Sequence, residues 1–311
     1  MTQTHSPRFH TAALVDMPTL AHASGCRCML HARRRLGGAL IGAGALAALG
    51  TPGLAAAQAD AECRISGFTK AVSAEQIEQA AGQQYQQMLQ QASQQRALAP
   101  ADNAQLQRLR YIAKRIIPHT ISCNPRAQQW RWEVNLIGSQ DVNAFCMPGG
   151  RIAFYYGILA KLKLDDDEVA MIMGHEVAHA LLEHARERMG KTMATRGFIE
   201  IGAALLGLGG AGSMLANMGG ELLTMRFSRD DESQADALGL VVSAKAGYRP
   251  AAGVTLWQKM MAANKGAPPQ WLSTHPSGDS RIKDIQSRQA RLEPVYDNAA
   301  KPDRRFAPPT A

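Results

Sequence analysis

The chain is poor in the features that mark several large functional classes. Only 5% of its 311 residues are aromatic, and no basic run is interleaved with aromatic side chains. Nucleic-acid binding is therefore not expected, because neither a stacking platform nor a phosphate-neutralising stripe is written into the sequence. The net charge of +8 is mild, and half of it sits in residues 1–57, where Arg8, Arg27, Arg33, Arg34 and Arg35 face Asp16 alone. Cysteine is scarce as well. Of five, Cys26 and Cys28 lie in that same stretch, leaving Cys63, Cys123 and Cys146. An odd number in an oxidising compartment predicts one bridge and one free thiol. Cys63 with Cys123 is the expected pair, since Cys146 has another role open to it.

Long unbroken apolar runs are also missing. Leu36 to Leu49 is apolar but rich in glycine and short for a membrane span. It follows Arg33-Arg34-Arg35 and precedes Leu54-Ala55-Ala56-Ala57. A basic start, an apolar middle and a small-residue cleavage site predict a secretory signal peptide over residues 1–57, with Met29 as the true start. An uncleaved anchor and twin-arginine export stay open as alternatives. The protein is expected to be exported, to the periplasm. Residues 198–223 are apolar too, but seven glycines interrupt them. They predict a mobile apolar hairpin, with peripheral membrane or substrate contact open to it.

What is present centres on His175-Glu176-Val177-Ala178-His179. Residues four apart on a helix share a face, so both imidazoles can aim at one point while Glu176 reaches a water held there. The helix is signalled by Asp165 as N-cap with Glu168 three residues on, then by Val169, Ile172, Met173, Val177, Ala180 and Leu181 at helical spacing. The pattern predicts a zinc site with a built-in general base. His184 falls off the face of His175 and reads as a surface residue.

Elsewhere the pattern predicts an N-terminal helical segment over residues 58–100. Its helix runs from Ser73 to Leu98, with Ile77, Ala81, Tyr85, Met88 and Ala92 recurring at three and four. A second helix carries Leu106, Leu109, Ile112 and Ile116 and stops at Pro118. Trp130 to Leu136, Val142 to Cys146 and Arg151 to Tyr155 read as strands, the last two joined by a turn at Met147-Pro148-Gly149-Gly150. Helices, a small sheet, then helices make an α+β fold, with one catalytic domain over residues 101–293. From Pro294 the composition of proline and charge predicts a disordered tail, 294–311.

A catalytic zinc needs a third protein ligand. Ser228 to Asp236 opens a further helix, on which Glu232 and Asp236 share a face. Glu232 can complete a His2Glu set, and Asp236 can accept the outer N–H of a ligating histidine.

HExxH followed some fifty residues later by Glu-x-x-x-Asp resembles the zinc metallopeptidase family that includes HtpX and the CAAX prenyl endopeptidases. Asn143-Ala144-Phe145 with Pro148-Gly149-Gly150, the lead-in Ser228-Arg229, and Ser273-Thr274-His275-Pro276 with Arg281-Ile282 match its pattern. The resemblance covers roughly residues 75–290. It implies a mainly helical, gluzincin-like domain with its sheet above the HExxH helix, and one Zn(2+) per chain on His175, His179 and Glu232. Glu176 would be the general base, Asp236 the group orienting a ligand, His275 the donor to the oxyanion, and Arg281 the group holding His275 or the nearby carboxylates. The chain departs from the family in showing neither multiple membrane spans nor a helical-repeat array, so it is similar to the soluble, exported members.

Asn143, Ala144 and Phe145 are expected at a sheet edge where an extended substrate adds as a strand. That favours unfolded or misfolded envelope polypeptides, and quality-control proteolysis as the role. A chaperone-like part in outer-membrane protein assembly is the alternative. Cys146 could act as a redox latch, its thiolate taking the open position on zinc.

Overall fold

The computed structural model describes residues 63–205, 222, 224–263, 269–276 and 279–309. The expected signal peptide and most of the 198–223 hairpin lie outside the described residues. Helix α1, Ala74–Gln94, starts at Ser73, whose side chain accepts from Gln76 N–H, and buries Ile77, Ala81, Tyr85, Leu89 and Ala92. Helix α2, Ala104–Ile116, starts at Asn103, which accepts from Gln105 and Leu106 N–H groups. Pro118 ends it in a short 3-10 turn, Ile117–His119, as a residue without an N–H must.

Three strands follow: β1 Glu133–Ile137, β2 Ala144–Met147 and β3 Arg151–Tyr155. β3 lies in the middle, parallel to β1 and antiparallel to β2, in the order β1-β3-β2. β3 buries Ile152, Ala153 and Phe154 completely. The β2–β3 turn closes on Gly149 and Gly150, both at positive φ (85° and 79°). A Cβ on Gly150 would come within 2.9 Å of the Trp132 ring, so this turn needs glycine for both conformation and space. α1 is tied to the sheet by Tyr85, whose hydroxyl donates to Ile152 O at 2.6 Å and accepts from Asn135 Nδ2.

Helix α3, Tyr156–Lys161, leads into α4, Asp166–Leu181. The expected capping box is formed: Asp165 accepts from Glu168 N–H and Glu168 accepts from Asp165 N–H. α4 is buried on nearly every side and forms the axis of the unit. Helix α5 is His184–Leu205, α6 Arg229–Lys245, α7 Ala252–Ala263, α8 Gln270–Thr274 and α9 Asp279–Asn298. α6 opens with a second capping box, Ser228 with Asp231. It packs on α4 through glycine: a Cβ on Gly174 would meet Gly239 O at 2.6 Å, and one on Gly239 would meet His175 N at 2.7 Å. The bare backbones let the two helices approach close enough for α6 carboxylates to reach α4 imidazoles.

The α+β reading holds: the architecture is mainly helical with a small mixed sheet. Two local expectations differ. The hairpin reading of 198–223 does not hold for residues 198–205, whose backbone continues α5. Residues 294–311 were expected to be disordered, yet α9 runs to Asn298 and residues 299–309 lie against α2 and the start of α4. Phe306 N–H donates to Asp166 Oδ2 at 2.8 Å, and Arg305 Nη1 donates to Asp167 Oδ1 at 2.9 Å. Tyr111 stacks at a tilt on Phe306 and hydrogen-bonds Asp303. Composition registers the segment's charge but not the acidic helix start that receives it. Cys63 is bonded to Cys123 (Cα–Cα 5.1 Å), and Cys146 is free and buried. Among the described residues no helix is long and apolar enough to cross a membrane.

Candidate metal centre

α4 delivers His175 and His179 to one point, with their Nε2 atoms 3.0 Å apart. α6 brings Glu232 opposite: Oε2 lies 3.5 Å from His175 Nε2, and Oε1 lies 3.4 Å from His179 Nε2. His275, at the end of α8, adds Nδ1 at 3.0 Å from Glu232 Oε1 and 3.2 Å from His175 Nε2. All four side chains are buried, and their ligating atoms lie within 4.8 Å of one another.

Ligands at about 2.0–2.1 Å from a tetrahedral centre stand roughly 3.3 Å from each other. The observed separations of 3.0–3.5 Å bracket that value. Three imidazole nitrogens and a carboxylate oxygen are also the donor set of a borderline divalent ion such as zinc. The residues fit a metal site.

The charges around the cluster are balanced from behind. Asp236 Oδ1 lies 3.0 Å from His175 Nδ1. Arg281 then clamps Asp236 with two bonds, from Nε at 2.7 Å and Nη2 at 2.6 Å, and reaches Glu232 Oε2 with Nη1. Its guanidinium lies 3.8 Å over the Trp257 ring, which covers a buried cation with a π face. Burial by itself would lower the pKa of His175, but the Asp236 and Glu232 carboxylates overcome it and raise the value to about 9. His179, whose burial is not offset, is pushed well below the usual range. Burial opposes ionisation of Glu232 and Asp236, yet His275 with the paired histidines holds Glu232 down, and Arg281 with His175 holds Asp236 down.

Glu176 points to the same place from the next position on α4. Trp271 Nε1 donates to its Oε1 at 2.6 Å, and His275 Nε2 lies 3.6 Å from that oxygen. Trp271 is held in turn by its backbone N–H, which donates to Val142 O. β2 forms the wall facing Glu176. Among the described residues it is hydrogen-bonded on one side only, to β3, and, with Asn143 just before it, presents Ala144, Phe145 and Cys146 to a cleft that Glu176, His179 and His275 also line.

Of the residues singled out in the sequence, His175, Glu176, His179, Glu232, Asp236, His275 and Arg281 come together in this centre. His275 stands inside the ligand group as well as beside Glu176, where the sequence reading had it only on the oxyanion side. Cys146 lines the cleft but is not a member of the ligand group. Burial first and the Glu176 carboxylate second push its thiol well up, which disfavours the thiolate that a latch requires.

His184 is a correction. It is 1% exposed rather than at the surface. α4 ends at Leu181 and Glu183 takes φ +56°, so the chain turns instead of continuing the helical repeat. His184 then sits behind His179, their Nδ1 atoms 2.8 Å apart. Phe227, also unread in the sequence, stacks on the His179 ring at 3.9 Å between centroids. Trp271 was missed too, although its place four residues before His275 was a usable signal for one shared helix face.

The profile of Peptidase family M48 matches residues 102–289. The mitochondrial metalloendopeptidase OMA1 of Schizosaccharomyces pombe is 37% identical over 159 residues, which is 50% of this chain and 46% of that protein. The metalloprotease LoiP of Escherichia coli is 28% identical over 195 residues, 62% of this chain and 74% of LoiP. The β-barrel assembly-enhancing protease of the same organism is 27% identical over 170 residues, 51% and 35% of the two chains. The match thus spans less than half of the OMA1 relative.

Proposed function

The chain belongs to peptidase family M48, and on that premise we propose that it is a zinc-dependent endopeptidase of the cell envelope, acting on unfolded or misfolded polypeptides. The observation that carries the reading is the convergence of His175, His179 and Glu232 with Glu176 beside them, next to a strand edge that is unpaired among the described residues. One zinc per chain would be held by these three ligands. When bound, zinc supplies Lewis acidity, making water a nucleophile near neutral pH and polarising the scissile carbonyl. Glu176 accepts the proton of the attacking water and hands it to the leaving amine. Trp271, donating to Oε1, holds the Glu176 carboxylate in place for both transfers. His275, whose Nε2 lies 3.6 Å from Glu176 Oε1, would donate a hydrogen bond to the substrate oxygen as negative charge develops.

An extended substrate would add to β2 as a further strand, its backbone paired with Asn143, Ala144 and Phe145. Only a polypeptide with a free stretch of backbone can pair in this way, which is the physical ground for preferring unfolded substrates. The envelope is supported by the Cys63–Cys123 bridge and by the bacterial relatives.

A chaperone-like part in outer-membrane protein assembly is the second reading, favoured by the same strand edge and by the likeness to a β-barrel assembly-enhancing protease. Incubation with unfolded casein, with and without a zinc chelator and beside Glu176→Gln, separates the two. The parent should cleave only with zinc, and Glu176→Gln should keep zinc and lose a factor of roughly 10²–10⁴ in rate. Zinc binding without cleavage by the parent, with casein still kept from aggregating by Glu176→Gln, would favour the chaperone.

A further inference from the structure

We infer that His184 is a positioning residue of the metal centre, fixing the tautomer of His179 by accepting its outer N–H. The inference rests on the metal-site reading above. The Nε2 atom of His179 faces the ligand group, 3.0 Å from His175 Nε2 and 3.4 Å from Glu232 Oε1. To ligate through Nε2, the neutral ring must carry its proton on Nδ1. That N–H points at His184 Nδ1, 2.8 Å away. His184 must therefore offer a lone pair at Nδ1 and keep its own proton on Nε2.

The other side of His184 is enclosed and acidic. Its Nε2 is buried with no hydrogen-bond partner. A ring nitrogen of His184 and carboxylate oxygens of Glu187 and Asp231 lie within 4.8 Å of one another. With the opposite tautomer, His184 would donate to His179 Nδ1 and push that ring's proton onto Nε2, where no metal could bind. The same logic argues against reading His184, Glu187 and Asp231 as a second metal site. A cation on His184 Nε2 would drive the proton to Nδ1 and work against the first ion.

The backbone holds this geometry from behind. Asn124, next to the bridged Cys123, donates from Nδ2 to Leu181 O at 2.9 Å and to Glu183 Oε1 at 3.4 Å. It thus braces the left-handed Glu183 that turns His184 under His179.

The test compares the parent with His184→Leu and His184→Asn in zinc affinity, measured by competition with a chromophoric chelator, and in the visible absorption of the cobalt-loaded protein. Asparagine keeps an acceptor oxygen near the place of Nδ1; leucine does not. His184→Leu should bind zinc about 10–100-fold more weakly, as loss of a ligand's outer partner does, and His184→Asn should stay within about threefold of the parent. Only His184→Leu should shift the cobalt bands. Thermal midpoints of the metal-free forms identify a packing effect, which would lower both variants alike. Unchanged zinc affinity in His184→Leu, or equal losses in the two variants, would overturn the inference. A parent that takes up no zinc would overturn the metal-site reading and this inference with it.

Discussion

His175 and His179 stand one turn apart on α4, yet opposite chemistries hold them from behind. Behind His175 lies Asp236, clamped by Arg281, whose guanidinium also reaches Glu232 and is covered by Trp257. Behind His179 lie two rings, His184 at hydrogen-bond distance and Phe227 stacked face to face. A carboxylate partner raises the basicity of its histidine and strengthens its bond to a metal. A histidine partner gives direction without adding charge. The first side builds affinity from charges that must compensate one another because they are buried. The second places no carboxylate in direct contact with the outer nitrogen of its ligand.

The largest effect should come from opening the charged side. Arg281→Met keeps the stem over Trp257 but leaves Asp236 and Glu232 without their cation. Breaking a buried ion network in this way costs about 3–5 kcal/mol. The metal-free protein should then melt roughly 10 °C lower, judged by the usual few degrees per kcal/mol for a domain of this size. A scanning-calorimetry midpoint within a degree or two of the parent would mean that the histidines alone compensate the carboxylates. Next comes Asp236→Asn, which preserves shape and removes the charge behind His175. Zinc affinity should fall about 10–100-fold. Equal affinity in a chelator competition would show that direction, not basicity, is what Asp236 supplies, and the two sides would then be alike.

The smallest effect is a proton. In the metal-free chain His175 is raised to about 9, while burial pushes His179 well down. Below pH 9 the His175 ring holds a proton that a metal must displace, and His179 holds none. Zinc affinity should therefore rise about tenfold per pH unit between 7 and 9 and level off above, with His175 as the source. Isothermal titration at pH 7.5 in buffers of different ionisation enthalpy should report about one proton released. Release of two would place both histidines in the protonated state and remove the asymmetry.

Much of this was readable in residue order. The capping box of Asp165 and Glu168, the spacing of His175 and His179, and Glu232 with Asp236 on one face of the next helix are local patterns governed by a 3.6-residue repeat. Ser73 and Asn103 as helix starts, and Pro118 as a stop, are equally local. Two failures share a cause. The helical repeat carried past Leu181 predicts a surface place for His184, whereas the left-handed Glu183 turns the chain. The composition of the tail predicts disorder, whereas Arg305 and Phe306 find Asp167 and Asp166 at the start of a helix some 140 residues earlier.

The sequence by itself determined the helix that carries His175, Glu176 and His179, the helix that carries Glu232 and Asp236, and the α+β class, because each is written within one element. Only the tertiary structure decided what stands behind each ligand. It brought Gly174 against Gly239 so that α6 carboxylates reach α4, set Trp271 on Glu176, and placed His275 inside the ligand group. It turned His184 under His179. These contacts join residues from 5 to 100 positions apart, and across such distances no repeat fixes direction. Close packing of whole elements does.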